Sequence, residues 1–131
     1  MMKMSRSNYT DDLDNWELIK WRGQVASAIR GKRGQALLRD LLAALDAMPA
    51  KRLIAYEFED EGEHCALGAL GFARGMDLTD LDPADSDMVA VAFNIAAPLA
   101  REIMFMNDDY PRHTPEKRWQ IVRQWVEEQI R

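Results

Sequence analysis

Cysteine occurs once, at Cys65, and histidine twice, at His64 and His113. One thiol excludes an internal disulfide and any metal site built from several cysteines. Two imidazoles are too few for a histidine-rich centre, so neither a metal nor a cofactor is expected. No uninterrupted apolar run approaches the roughly 18 residues of a membrane span. Met1 to Thr10 is polar and holds no apolar core, so no secretion signal is read and the expected compartment is the cytoplasm of a bacterial host. Repeats, low-complexity tracts and Pro/Gly/Ser-rich linkers are missing too. That leaves one domain over 1–131, with 1–13 as a flexible or loosely packed arm.

What the chain does hold is an ordinary globular mixture, 47% hydrophobic and 30% charged over 131 residues. A chain of this length buries roughly two thirds of its unfolded surface. The formal net charge of −5 conceals a division along the sequence. Residues 16–56 carry eight Lys and Arg against three Asp and Glu, whereas 57–87 carry ten acids against Arg74. Such asymmetry bears on partners and solubility rather than on fold.

Apolar periodicity predicts a mainly α protein, a compact bundle of about five to six helices. Asp14-Asn15-Trp16-Glu17 has capping-box spacing and opens a helix to about Ile29, with Leu18, Trp21, Val25 and Ile29 on one face. Gly31 and Gly34 break it, and a second helix over Gln35–Ala47 presents Leu38, Leu41, Leu42 and Leu45 before Met48-Pro49. At most one short strand or hairpin is expected near 53–63. Ile54, Tyr56 and Phe58 alternate, although no second strand is visible to pair with them, and Glu59–Glu63 reads as a solvated turn. Cys65–Ala73 reads as a small-residue helix packed close to its neighbours and ending at Gly75. Ser86 or Asp87 caps a helix through Phe93, Asn94 ends it in left-handed geometry, and another helix covers Ala97–Met106 with Pro98 in its first turn. Asn107–Pro111 reads as a turn. Thr114, Pro115 and Glu116 then start a last helix whose face is Trp119, Val122, Trp125, Val126 and Ile130.

Four places carry candidate chemistry. Arg30-Gly31-Lys32-Arg33-Gly34 combines three cations with glycines before a helix start, a pattern suited to phosphate or a nucleic-acid backbone, though it lacks the GxxxxGK[ST] of a phosphate-binding loop. The same residues also fit a simple glycine cap in a basic turn. Cys65, beside His64 at a helix start, is the weak candidate for a thiol-dependent enzyme. Its partner would have to come from His113, Asn107 or Asp108, and a small buried inert thiol is the alternative. The acids Asp77, Asp80, Asp82, Asp85 and Asn107–Asp109 lack the EF-hand register and suit caps and turns. The helix pair across Ser86–Met106 has the spacing of a helix-turn-helix, but its second member carries only Arg101, too little to neutralise phosphates. Glu57, Glu59, Asp60, Glu61 and Glu63 form a fifth feature, a concentration of charge able to contact a partner. Any tryptophan of the pairs Trp16/Trp21 and Trp119/Trp125 left exposed would be a natural interface anchor.

AIRGKRGQALLRDLLAALDAMPAKRLIA, HCALGALGFARGMDLTDLDP and NDD…TPEKRW together resemble a family of uncharacterised phage and prophage proteins, over roughly residues 14–130. The resemblance implies a setting and no activity: a mobile-element accessory protein of the kind that binds a host factor or inhibits host defence. The expectation is therefore a non-enzymatic protein that contacts a host protein, or alternatively nucleic acid, through charged surfaces, with no membrane partner.

Overall fold

The computed structural model describes residues 15–109 and 113–131. They form six α-helices and one two-stranded antiparallel hairpin: α1 (Asn15–Arg30), α2 (Lys32–Ala47), β1 (Glu59–Asp60), β2 (Glu63–His64), α3 (Ala66–Ala73), α4 (Ser86–Phe93), α5 (Ala97–Asp108) and α6 (Pro115–Gln129). The mainly helical bundle predicted from periodicity is what folds. Asp14, the acceptor expected to cap α1, lies outside the described residues.

Two helices form the middle. α2 packs on α1, α3 and α6, and α5 packs on α1, α3, α4 and α6. Their inward residues, Leu37, Leu38, Leu41 and Leu45 from α2 and Leu99, Ala100, Ile103 and Met104 from α5, are completely enclosed. Each large side chain so buried contributes about 1.5–3 kcal/mol of transfer free energy. Leu53, Phe58, Leu67, Leu70, Val89, Phe93, Val122 and Val126 complete the core. No single helix among the described residues is long and apolar enough to cross a membrane.

Local chemistry ends most helices as the sequence predicts. Thr114 Oγ1 accepts from Lys117 N at 3.1 Å, and Pro115 follows at the first helical position of α6. Asn94 closes α4 at φ 56°, in the left-handed region. Lys51 Nζ donates to the Asp46 and Met48 carbonyls beyond α2, where a cation meets the negative end of the helix dipole. Asp85, one residue ahead of the expected cap, holds α4 by accepting from Met88 N at 3.1 Å.

Three expectations are corrected. Gly34 does not break the chain: α2 begins at Lys32, and Gly34 is buried within its first turn. A Cβ there would stand 2.0 Å from the Ala28 carbonyl oxygen, so the glycine serves the α1–α2 crossing rather than a loop. Residues 53–58 form no strand; Leu53 N donates to Pro115 O at 3.1 Å and Ile54 N to His64 O at 3.0 Å. That leaves an irregular segment, bent over 55–58, that bridges α6 and β2 and buries Leu53 and Phe58 while exposing Tyr56 and Glu57. Asn107 and Asp108 are not in a turn but in the last turn of α5, both buried.

Candidate functional site

The hairpin is held to the bundle by a closely fitted joint. Cys65 caps α3 with its own sulfur, Sγ accepting from Gly68 N at 3.3 Å. Gly68 is obligatory because a Cβ would come within 1.9 Å of the Phe58 carbonyl oxygen, where the chain enters the hairpin. Asn107 clamps both sides of the joint. Its Oδ1 accepts from Ala66 N at 3.0 Å, and its Nδ2 donates to Ile54 O and Asp108 Oδ1, each at 2.8 Å. Asp108 Oδ1 also accepts from Tyr56 N at 3.0 Å and so fixes Tyr56 at φ 72°, a left-handed conformation that is costly for an aromatic residue. Buried Arg118 donates to the Asn107 carbonyl, a terminal acceptor of α5, and to His113 O at 3.5 Å. The CALGAL and NDD words thus meet in space, and what they build is a support.

Cys65 is entirely enclosed and its sulfur is engaged as a helix cap. That arrangement gives the thiol a packing and capping role.

Beyond the joint the hairpin turns through Glu61 and Gly62, at φ 50° and 82°. Both central residues are left-handed, the pattern of the two-residue turn whose twist matches paired strands. Asp60 pairs with Glu63 and Glu59 with His64. Glu57, Glu59, Asp60 and Glu61 are exposed and form no ion pair among the described residues, whereas Glu63 binds Arg52 Nε at 3.0 Å. The four free carboxylates border a groove of about 520 Å³ whose other wall comes from Met76, Asp77, Leu78, Thr79, Leu81 and Pro83.

The acids of 77–87 behave differently. Asp77 Oδ1 accepts from Thr79 N at 3.0 Å, Asp82 from Ala84 N at 2.9 Å, and Asp87 pairs with Arg101 Nη2 at 3.1 Å. The side-chain and backbone hydrogen bonds from Thr79 hold the Asp77 carboxyl below the usual carboxylate range. These residues shape turns, as their spacing predicts. Among the described residues no three His, Cys, Asp or Glu converge as metal ligands.

The basic corner lies at the other end of α2. Arg33 Nη1 donates to Asn94 Oδ1 at 3.2 Å, while Arg30 and Lys32 make no ion pair among the described residues. The Ala28 and Ile29 carbonyls of α1 face Gly34, so the negative end of one helix dipole abuts the positive end of the next. Gly62 and Glu63 share a hollow with Ala44–Ala50, which places the hairpin beside the C-terminal end of α2. Sixteen helical residues separate the poles, about 24 Å at the helical rise. The cationic corner and the acidic hairpin therefore do not neutralise each other by contact.

α4 and α5 meet at 107°, inside the range of a helix-turn-helix. Every residue of the would-be reading helix α5 is buried or half-buried, which leaves it no exposed face to lay in a DNA groove. Among the tryptophans, Trp119 Nε1 donates to Leu45 O at 3.1 Å, Trp21 stacks under Arg101 at 4.8 Å, and Trp16 is 67% exposed beside residues outside the described range.

Sequence patterning missed Phe72. It is 73% exposed at the end of a helix buried from Ala66 to Gly71, its ring 5.2 Å from that of His64. No family model, curated protein or solved structure matches the chain.

Proposed function

We propose that this chain is a non-enzymatic binding protein, of the phage or prophage accessory type its GKRGQ and CALGAL words resemble, that engages a cationic surface of a host protein through its acidic hairpin. The observation carrying this reading is the contrast among the carboxylates. Asp77, Asp82, Asp85 and Asp87 are spent on turns, a cap and an ion pair, whereas Glu57, Glu59, Asp60 and Glu61 stand exposed at a groove with no cation paired to them among the described residues. Of the acids of 77–87 Asp80 alone shares that state, and it does not line the groove. Four like charges on and beside a short hairpin, with no cation paired to them among the described residues, repel one another, a cost relieved when cations arrive. A host nucleic-acid-binding protein offers such a surface, toward which the hairpin would act as a phosphate mimic.

The test is affinity capture from bacterial lysate with three forms: the native chain, a form with Glu57, Glu59, Asp60 and Glu61 changed to Lys, and a form with Arg30, Lys32 and Arg33 changed to Glu. Partner loss in the hairpin variant with retention in the corner variant is the expected result. The reverse pattern would transfer the function to the basic corner and its anionic ligands.

A further inference from the structure

Phe72 and His64 form a ridge with a hollow on each side. One side is the carboxylate-bordered groove already described; the other is a hollow of about 480 Å³ walled by Ala44, Ala47, Ala69, Ala73, Met48 and Pro49. Both hollows include His64 and Phe72, so the ridge is their shared wall. Small side chains leave the second hollow mostly apolar, with the Arg52–Glu63 ion pair at its edge, and a mostly exposed phenylalanine beside it presents apolar surface that the fold does not cover.

We infer that this ridge seats a cationic amphipathic segment of a partner protein, with an aliphatic side chain in the alanine-walled hollow and its Arg or Lys side chains on Glu57, Glu59, Asp60 and Glu61. The inference rests on the acidic-face reading and adds the partner's chemistry to it. Charge complementarity selects the occupant: across the Phe72–His64 ridge from the apolar hollow, whose own carboxylate Glu63 is paired with Arg52, lie Glu57, Glu59, Asp60 and Glu61, which no cation among the described residues pairs. An apolar ligand alone leaves that charge unanswered, and a purely cationic one leaves Phe72 in water. A segment with both faces answers both, in the manner of a helix laid into a groove. A second copy of this chain would bring the cations of Arg30, Lys32 and Arg33 but has no apolar side chain between them.

Two synthetic helical peptides test this, one with alternating Leu and Arg faces, the other with every Leu replaced by Gln. Binding is read by fluorescence anisotropy at low salt and by backbone amide shifts of the native chain. The Leu/Arg peptide is expected to bind at least tenfold tighter and to shift Gly62, Ala69 and Phe72. Phe72→Ala and, independently, Ala47→Glu are expected to erase that margin while leaving the weaker Gln/Arg binding in place; both positions are exposed, and a thermal melt checks their fold. Equal binding of the two peptides overturns the hollow and leaves the acidic-face reading standing. Binding of neither overturns both. Concentration-dependent self-association of the chain alone, abolished by changing Arg30, Lys32 and Arg33 to Ser, overturns the inference in favour of a second copy.

Discussion

Two polar clusters, distant in sequence but linked through the hydrogen bond from Tyr56 N to Asp108, obey opposite rules. Asn107, Asp108 and Arg118 are buried, and the hydrogen bonds they make reach Ile54, Tyr56, Ala66 and His113. Glu57, Glu59, Asp60 and Glu61 are exposed and pair with no cation among the described residues. Burial makes every unmade hydrogen bond expensive, so the first cluster is tied to one geometry. Water screens the second, so its charges can vary without consequence for the fold. The buried cluster specifies where the hairpin sits, and the exposed one specifies what meets it.

Stability measurements put numbers on that separation. Asn107→Ala removes an acceptor from Ala66 N–H and a donor from Ile54 C=O inside the protein, for an expected loss of about 3 kcal/mol in urea unfolding. A loss below about 1 kcal/mol would mean that water replaces the side chain and that the joint is not dry. Gly68→Ala forces a Cβ against the Phe58 carbonyl and is expected to cost about 2 kcal/mol, with amide shifts spreading from Phe58 into the hairpin. Glu61→Asn places a residue tolerant of φ near 50° at the turn and should stabilise by about 0.5–1 kcal/mol, read as a raised thermal midpoint.

Acid supplies a finer comparison. Asp46 is held below the usual carboxylate range first by its hydrogen bond from Arg123, and Asp77 by Thr79. Both groups bind protons more weakly folded than unfolded. Their contribution is present above the ordinary carboxylate pKa of about 4 and is lost as pH falls through the depressed values. The urea midpoint should accordingly drop between about pH 5 and pH 3, and Arg123→Ala should reduce that drop. The smallest effect is expected from changing Glu57, Glu59, Asp60 and Glu61 together to Gln. Stability should stay within about 0.5 kcal/mol, or rise slightly as repulsion is removed, while partner capture is lost. A larger destabilisation would show that the hairpin acids belong to the fold.

The sequence announced features whose causes are local. Thr114-Pro115 at α6, the left-handed Asn94 and the Asx turns at Asp77 and Asp82 each depend on a few neighbouring residues, and each stands where the pattern put it. Features with distant causes were misread or missed. Asn107-Asp108-Asp109 reads as a turn because its residue types favour turns; the groups that recruit Asn107 and Asp108 into a buried helix end lie 41 to 53 positions away. Gly34 reads as a helix breaker by propensity, yet an approaching α1 carbonyl is what requires it. Phe72 was invisible for another reason: α3 is apolar on every side, so no periodicity distinguishes an exposed position from a core one.

The turn at Glu61-Gly62 projects beyond the Gly68 joint, and a Cβ on Gly62 would meet nothing within 4 Å. Backbone there can be lengthened without disturbing a packed neighbour. The hairpin is thus an insertion point, able to accept extra residues or a grafted epitope at its tip while Asn107 continues to hold its base. Chains built on this plan could diverge in the reach and target of the hairpin while keeping the same helical body beneath it.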